Sequence, residues 1–363
     1  MKAAVLHSHG EPLKVEDIEL APPQPGEVKI KISATGVCHS DLSARNGTLF
    51  FPVPCVPGHE AAGIVTEVGE GVTKVSEGDH VVVCWIPYCG ECWYCRRGEM
   101  IHCDDVHERH GLMKDRTTRL SIDGMPLFHG LDAATFAEEA VLNDTAVIKI
   151  DDDMPLEIAA LIGCGVTTGV GAVINTAKVP EGSTVAVIGC GGVGLNVIQG
   201  ARIAGASKII AVDVVSSKLD AARKFGATDT VDASSVSATS ATKELADGVG
   251  VDYAFEVIGN TSTIDQAMQM TRRGGYAVLV GVAPFGEQIS ITPSLMTLTG
   301  RSVLGCYFGS TQPERDFPKM VELWREGKLD LEGLISERGG LEDINSAFEA
   351  MDRGSVLRTV ITP

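Results

Sequence analysis

I-G-C-G-G-V-G-L-N-V-I-Q-G-A-R-I-A-G-A-S-K-I-I-A-V-D, residues 188–213, is the stretch whose reading decides the fold of this chain. Gly189, Gly191 and Gly194 form G-x-G-x-x-G directly after the apolar run 185–188, and Asp213 closes the next apolar run, 209–212. Such a turn, in which Gly192 and Val193 take part, lets a pyrophosphate approach the backbone, and the helix that follows aims its first N–H groups at the phosphates. Asp213, 19 residues beyond Gly194, is placed to accept the hydroxyls of an adenosine ribose and to repel a 2′-phosphate. Val214 and Val215 bring no arginine to that site, so NAD is expected rather than NADP. Lys218 could reach the same ribose, or lie solvated on its helix. A glycine-rich turn without a ligand is the plain alternative, and the strand, helix and acid in register argue against it.

Outward from this stretch the pattern divides. From about residue 180, strand candidates at 185–188, 209–212, 253–257 and 276–280 alternate with helix candidates at 192–204, 216–225 and 263–272. That alternation predicts a parallel sheet with helices on both faces. The Ser/Thr/Ala-rich segment 233–242 reads as a flexible loop. Before residue 150 the pattern is all-β: Val28, Ile30 and Ile32 alternate with Lys29 and Lys31, and short strands at 61–68 and 80–83 are bounded by glycine turns. After about residue 298, the segments 316–329 and 344–351 space apolar residues as amphipathic helices do.

At 363 residues the chain is long enough for two domains. A net charge of −18 repels phosphate backbones and anionic surfaces, so neither nucleic acid nor membrane is an expected partner. The N-terminus lacks the apolar core of a signal peptide, and no run approaches the ~18 apolar residues of a membrane span. A soluble cytoplasmic protein is expected. Its ten cysteines would then be reduced, and clustered ones point to metal rather than to disulfides.

The most specific cluster is C-G-E-C-W-Y-C-R-R-G-E-M-I-H-C, which spaces Cys89, Cys92, Cys95 and Cys103 as C-x2-C-x2-C-x7-C. Four thiolates suit a closed tetrahedral zinc that clamps a loop. An iron–sulfur cluster is the competing reading, disfavoured beside a hydride-transfer domain that needs no one-electron chemistry. Trp93, Tyr94, Arg96 and Arg97 read as exposed parts of this lobe. Cys38 in G-V-C-H-S-D and His59 in P-G-H-E-A-A-G are candidate ligands of a second zinc, with Cys164 in G-C-G-V-T-T-G as the third. Taken singly, each cysteine is as readily a small core side chain and His59 a satisfied loop residue. Neither of the first two motifs is helical by pattern.

With these residues in view, the chain resembles the zinc-dependent alcohol dehydrogenases of the medium-chain dehydrogenase/reductase superfamily over essentially its whole length. The resemblance rests on G-V-C-H-S-D (36–41), G-H-E-A-A-G-I-V (58–65), the four-cysteine lobe, G-C-G-V-T-T-G (163–169), residues 188–213, F-E-V-I-G (255–259) and L-R-T-V-I-T (357–362). It implies an α/β and β architecture, a doubly wound Rossmann parallel sheet inserted into a GroES-like β-rich catalytic domain. Residues 1–165 would form the first part of the catalytic domain, with the structural zinc lobe at 85–105. Residues 166–298 would form the NAD-binding domain, and 299–363 the return to the catalytic domain.

The resemblance also implies roles. Cys38, His59 and Cys164 would hold the catalytic zinc, with Glu60 behind it as an alternative ligand during exchange; read from the residues alone, Glu60 is a carboxylate that orients His59 or a nearby loop. Ser40 would receive the alcohol proton, and Asp41 would support the ligand set. His39, Thr168, Val257, Val280, Val282, Cys306 and Phe308 match cofactor-contact positions. Arg358 matches a pyrophosphate contact, against which stands a surface ion pair. Trp85 would line the substrate pocket and favour slender primary or benzylic alcohols, or else pack in the core. One position departs: five residues after Cys38, where a complete proton relay has histidine, stands Ser43, so the proton would leave through water or through His7 or His9. The stretch 110–141 resembles a loop of the dimeric branch, which makes a homodimer the expectation and a tetramer the alternative.

The expected activity is reversible hydride transfer between a primary alcohol and NAD to give an aldehyde, with two zinc ions per chain. A thiol-dependent formaldehyde dehydrogenase acting on an S-hydroxymethyl adduct is the alternative enzyme. The glutathione branch carries an acid and an arginine where this chain has Leu49 and His107, which disfavours glutathione and leaves other thiols open. A non-enzymatic NAD(H)-binding sensor is the alternative of another class, opposed by the intact zinc ligands.

Overall fold

A strand with one covered face places apolar residues at every second position, and 27–36 does so. In a computed structural model, which describes residues 1–363, this segment is the strand Glu27–Gly36, with Val28, Ile30 and Ile32 buried and Lys31 exposed. It pairs antiparallel with Glu60–Val68, which pairs with His80–Val83, which pairs with Val147–Lys149. Glu139–Asn143 also pairs with Glu27–Gly36. The far end of the chain enters the same sheet, because Arg358–Ile361 sets Val360 against Gly36 and Ile361 against Thr35. Val28, Ile30, Ala61, Val65, Val81, Val83 and Leu142 close one core against this sheet.

The chain divides into one unit of Met1–Gly165 with Gln312–Pro363 and another of Val166–Thr311. The return therefore falls at Gln312 and not at 299. The reason is the strand Ser302–Gly305, which completes the sheet of the second unit, and the turn Phe308–Ser310, whose Gly309 carbonyl accepts from Asn175 Nδ2 at 3.2 Å.

Two further local expectations are corrected. G-V-C-H-S-D opens the helix His39–Asn46, although its pattern is not helical. Cys38 sits extended at the N-cap and donates its N–H to Asp41 Oδ2 at 3.2 Å, so a capping contact starts the helix where periodicity is too short to announce it. The segment 233–242 is a turn only over 233–237: the helix Ala238–Leu245 begins in it, with the Ser237 hydroxyl accepting from Ser240 N–H and Thr242 buried.

In the second unit six parallel strands stand in the order Asp229–Asp232, Lys208–Asp213, Thr184–Ile188, Val251–Glu256, Thr271–Leu279, Ser302–Gly305. The direction of strand succession reverses between Thr184–Ile188 and Val251–Glu256. In doubly wound sheets this reversal opens the crevice that receives a dinucleotide. The helices Gly192–Ile203, Ser216–Phe225 and Thr261–Met270 fall within a few residues of their expected bounds. No single helix is long and apolar enough to cross a membrane.

Candidate active site and metal centres

The sulfur atoms of Cys89, Cys92, Cys95 and Cys103 all lie within 4.8 Å of one another. Around one ion at a Zn–S distance of about 2.3 Å, tetrahedral sulfurs stand about 3.8 Å apart. A multi-iron cluster would sit between its thiolates and hold them wider, so the geometry fits a single zinc. Backbone N–H groups support the thiolates: Cys92 N–H donates to Cys89 Sγ at 3.3 Å, Cys89 N–H to Cys103 Sγ at 3.3 Å and Cys95 N–H to Cys92 Sγ at 3.5 Å. Burial opposes ionisation of Cys92, yet the N–H groups of Cys95 and Asp104 and the neighbouring thiols bring it down to about 7. Trp93 is exposed and carries the Arg97 guanidinium at 4.6 Å from its ring centroid, while Tyr94 is half-buried. The lobe is tied to its unit by Gln312 Nε2, which donates to Gly98 O at 2.9 Å.

The second cluster gathers ligands from three distant segments. Cys38, His59 and Cys164 offer ligand atoms within 4.8 Å of one another, and all three are buried. Cys38 caps the helix His39–Asn46, His59 precedes the strand Glu60–Val68, and Cys164 follows the turn Ala160–Gly163. Asp41, wholly buried, holds two of them. Its Oδ1 accepts from His59 Nδ1 at 3.1 Å and from Gly58 N–H at 3.0 Å, and its Oδ2 from Cys38 N–H. A proton on Nδ1 leaves Nε2 as the metal-facing nitrogen. The Cys38 thiol is drawn well below the usual thiol range, foremost by its hydrogen bond with Cys164; burial opposes this, and His59 and Arg358 add their charge. Burial likewise opposes a charged His59, but Asp41 and Cys38 together raise the imidazole to about 10. Two soft thiolates and an imidazole suit zinc, which on binding displaces protons from such a set. Three protein ligands leave a fourth position for substrate.

Glu60 stands outside this ligand set. Its Oε1 accepts from Gly165 N–H at 2.7 Å, next to Cys164, and its carboxylate forms a buried ion pair with Arg358. These contacts let Glu60 orient the Cys164 turn. Arg358 is buried, so its ion pair is not the surface pair that stood as the alternative to a pyrophosphate contact. Removing one member of such a pair alone costs about 3–5 kcal/mol, because the other is left buried and unpaired.

Around the cluster, Ser40 Oγ lies 3.8 Å from Cys38 Sγ. The Trp85 ring meets His59 edge-on, with centroids 5.9 Å apart, and also packs against the sheet core, so the pocket and core readings of Trp85 are both realised. Ser43 is half-buried on the same helix. His9 Nδ1 is 2.9 Å from Ala44 O at that helix's C-terminal end, while His7 Nε2 is 2.5 Å from Glu16. His39 is exposed.

In the second unit, a Cβ on Gly194 would collide with the Gly189 carbonyl, which requires glycine where helix meets strand. A Cβ on Gly191 would meet nothing within 4 Å, so the N-terminus of the helix Gly192–Ile203 opens onto free space that a phosphate can fill. Asp213 is fixed at its strand end, Oδ2 accepting from Cys190 N–H at 2.8 Å and Oδ1 from Val215 N–H at 2.9 Å. Lys218, Thr168, Val193 and Val257 are half-buried, Val280, Cys306 and Phe308 buried, and Val282 exposed. Glu256, buried inside F-E-V-I-G, has no spacing that marks it in the sequence, yet it accepts more hydrogen bonds than Asp213 does.

Residues 24–152 match the family described as alcohol dehydrogenase GroES-like domain, and residues 192–326 match the zinc-binding dehydrogenase family. The chain belongs to the zinc-dependent alcohol dehydrogenases. This dehydrogenase is 44% identical over 372 aligned residues to an S-(hydroxymethyl)glutathione dehydrogenase of Escherichia coli O139:H28, with 99% of each chain covered. It superposes on an alcohol dehydrogenase zinc-binding domain protein from Burkholderia ambifaria with a TM-score of 0.95 at 34% identity, covering 99% of this chain and 98% of that one. Benzyl alcohol dehydrogenase from Acinetobacter calcoaceticus gives a TM-score of 0.94 at 32% identity, again covering 99% and 98%. The two-cysteine, one-histidine set is the one by which alcohol dehydrogenases hold their catalytic zinc. A nicotinamide dinucleotide and two zinc ions per chain are the cofactors of this dehydrogenase.

Proposed function

We propose that this dehydrogenase oxidises primary alcohols, aliphatic or benzylic, to aldehydes with NAD, and runs in reverse. The observation that carries the reading is a buried three-ligand cluster with a hydroxyl beside it, Ser40 Oγ at 3.8 Å from Cys38 Sγ. Zinc held by Cys38, His59 and Cys164 supplies Lewis acidity that lowers the pKa of an alcohol, and the dinucleotide supplies the hydride acceptor. Ser40 Oγ takes the hydroxyl proton. Asp41 fixes the His59 tautomer, Glu60 holds the Cys164–Gly165 turn, and Trp85 narrows the space beside His59 against branched alcohols. With Ser43 in the relay position, the proton leaves by water.

Asp213 supports NAD over NADP, because both its oxygens are aligned by backbone N–H groups and neither Val214 nor Val215 puts an arginine beside it for a 2′-phosphate. A homodimer belongs to the same reading. The strand Ser302–Gly305 is an open sheet edge, and Ile291, Leu295 and Leu298 just before it are exposed. Unpaired edges with apolar neighbours seek a partner. A cytoplasmic location fits seven metal-ligating side chains of which six are thiols that must stay reduced.

A second reading, oxidation of an S-hydroxymethyl thiol adduct, is favoured by the full-length likeness to the enzyme named for that substrate. Leu49 and His107 weigh against glutathione as the thiol. One experiment separates the readings: NADH formation from a panel of primary and secondary alcohols, and from formaldehyde with and without glutathione or other thiols, using NAD and NADP. Turnover of primary alcohols without thiol supports the first. Turnover that requires formaldehyde with a thiol replaces it by the second, and sedimentation of the purified chain as a monomer removes the dimer.

A further inference from the structure

The strand Cys55–Val56 leads into Pro57, Gly58 and the ligand His59, and the chain that leaves the strand Met125–His129 wraps around that approach. On its way in, the wrapping chain runs parallel, with Cys55 opposite Phe128 and Val56 opposite His129. On its way out it runs the other way, Thr135 N–H donating to Gly58 O at 3.0 Å and Phe136 N–H to Pro57 O at 2.9 Å. The chain must therefore reverse within 130–134. Ala133 N–H and Ala134 N–H both donate to Gly130 O, at 3.2 and 3.1 Å, and close the bend.

The bend is strained and close-fitting. Leu131, Asp132 and Ala134 have φ of +50, +59 and +56, a region that residues with side chains rarely adopt and keep only where their surroundings fix it. A Cβ on Gly130 would strike the Val56 carbonyl and Pro57, and a Cβ on Gly58, at φ +94, would strike the Phe136 nitrogen. Asp132 fastens the bend to a third segment: its Oδ1 accepts from Gly111 N–H at 3.0 Å, and Gly111 O accepts from His129 N–H at 2.9 Å where the bend begins. On the far side, Gly58 N–H and His59 Nδ1 share Asp41 Oδ1, at 3.0 and 3.1 Å. A shift of the Gly58 backbone therefore shifts the imidazole.

We propose that Asp132 is a positioning residue for His59. Its side chain fixes the bend, the bend fixes the backbone of Pro57 and Gly58, and that backbone sets the direction from which the imidazole reaches the metal. The strain has a use here, because a bend held against its own preference keeps one shape only while its fastenings hold. The inference rests on zinc binding by Cys38, His59 and Cys164, and not on which alcohol is oxidised.

The test uses full-length, zinc-loaded protein and reads isotope exchange of zinc together with kcat. Exchange at the catalytic set is the phase that Cys38→Ser abolishes; the phase that remains belongs to the four-cysteine lobe. Asp132→Ala removes the acceptor, so zinc at the catalytic set exchanges about tenfold faster and kcat falls about tenfold, while lobe zinc stays within about twofold. Asp132→Asn keeps an oxygen for the Gly111 N–H and tolerates the left-handed backbone, and restores both to within about twofold of wild type. Asp132→Gly relieves the strain but still lacks the acceptor, and behaves as Asp132→Ala does. Thermal unfolding and zinc content establish that each variant is folded, and if Asp132→Ala is not, Asp132→Gly decides. Wild-type exchange and kcat in Asp132→Gly overturn the proposal, as does equal acceleration of both zincs, which marks general loosening, or an Asp132→Asn that fails to restore them. A wild-type protein without a zinc that Cys38→Ser removes overturns the ligand reading itself, and this proposal with it.

Discussion

The two metal clusters of the first unit use the same kind of ligand and are built on opposite plans. Cys89, Cys92, Cys95 and Cys103 come from 15 consecutive residues, two of them half-buried, on a lobe with an exposed tryptophan. Cys38, His59 and Cys164 come from three segments spread over more than a hundred residues, all buried, and two of the three are oriented by a buried carboxylate. A local cluster can be assembled by the loop that carries it, with backbone N–H groups as its only support. A dispersed cluster needs the sheet to bring its parts together, and needs Asp41 and Glu60 to aim them. The difference matches the chemistry, since a closed tetrahedral site only clamps whereas an open one must present a fixed empty position.

The sharpest way to break this comparison is to remove one thiolate from each cluster. Cys38→Ser is expected to lower turnover by at least ~10³-fold with one zinc retained per chain and NADH binding preserved. Cys103→Ser is expected to release the lobe zinc and destabilise the unit by about 3–5 kcal/mol, by chemical denaturation, while Cys38, His59 and Cys164 keep theirs. Equal activity loss in both, with both zincs gone, would show the two sites to be one cooperative structure.

Acid sharpens it next, after one background effect is removed. His129 is buried, and burial, with the Arg119 charge, pulls it from 6.5 down to about 4. Arg119 N–H donates to its Nε2 at 3.2 Å, which requires the neutral ring. The unfolded chain therefore takes up a proton near 6.5 that the folded chain refuses until about 4, and stability falls as pH falls through that window. Relative to His129→Leu, the wild type is expected to lose about 3 kcal/mol between those limits, measured as urea midpoints at fixed pH. Asp132 works the other way: burial raises it to about 7, so its contribution is lost as pH rises. Asp79, Asp115, Asp252 and Glu314, each held low by hydrogen bonds or a cationic partner, also lose stabilisation in acid, so the metal clusters are separated from them by zinc content measured at each pH.

The smallest effect is the most specific. Asp41→Asn keeps size but weakens the hold on His59 Nδ1, and is expected to cost about 10–100-fold in zinc affinity or kcat at the dispersed site. The lobe zinc should exchange at the wild-type rate, by isotope exchange. Faster exchange at both sites would mean that Asp41 supports the unit rather than the ligand.

Much of this molecule is legible in its sequence. The glycine turn with Asp213 and the four-cysteine spacing state their chemistry in contiguous residues, because turns and closed metal loops are local objects. Four of the six strands of the second unit and the helices Gly192–Ile203, Ser216–Phe225 and Thr261–Met270 follow from periodicity. The helix His39–Asn46 is hidden because one capping contact, rather than a period, starts it, and the helix Ala238–Leu245 because its polar residues look like those of a loop. The place of the return is hidden because the edge strand Ser302–Gly305 is short and its burial depends on the neighbouring strand.

By itself, then, the sequence determined the two kinds of metal site, the dinucleotide turn and the four inner strands of the second unit, all of which are written in spacings along the chain. Only the tertiary structure decided that Glu60 pairs with Arg358 and accepts from Gly165 N–H, that Asp41 chooses the nitrogen of His59 that faces the metal, and that the Glu256 carboxylate holds the turn 257–259. Each of these is a buried carboxylate whose role depends on which donors reach it, and those donors come from parts of the chain that meet only when the sheets have formed.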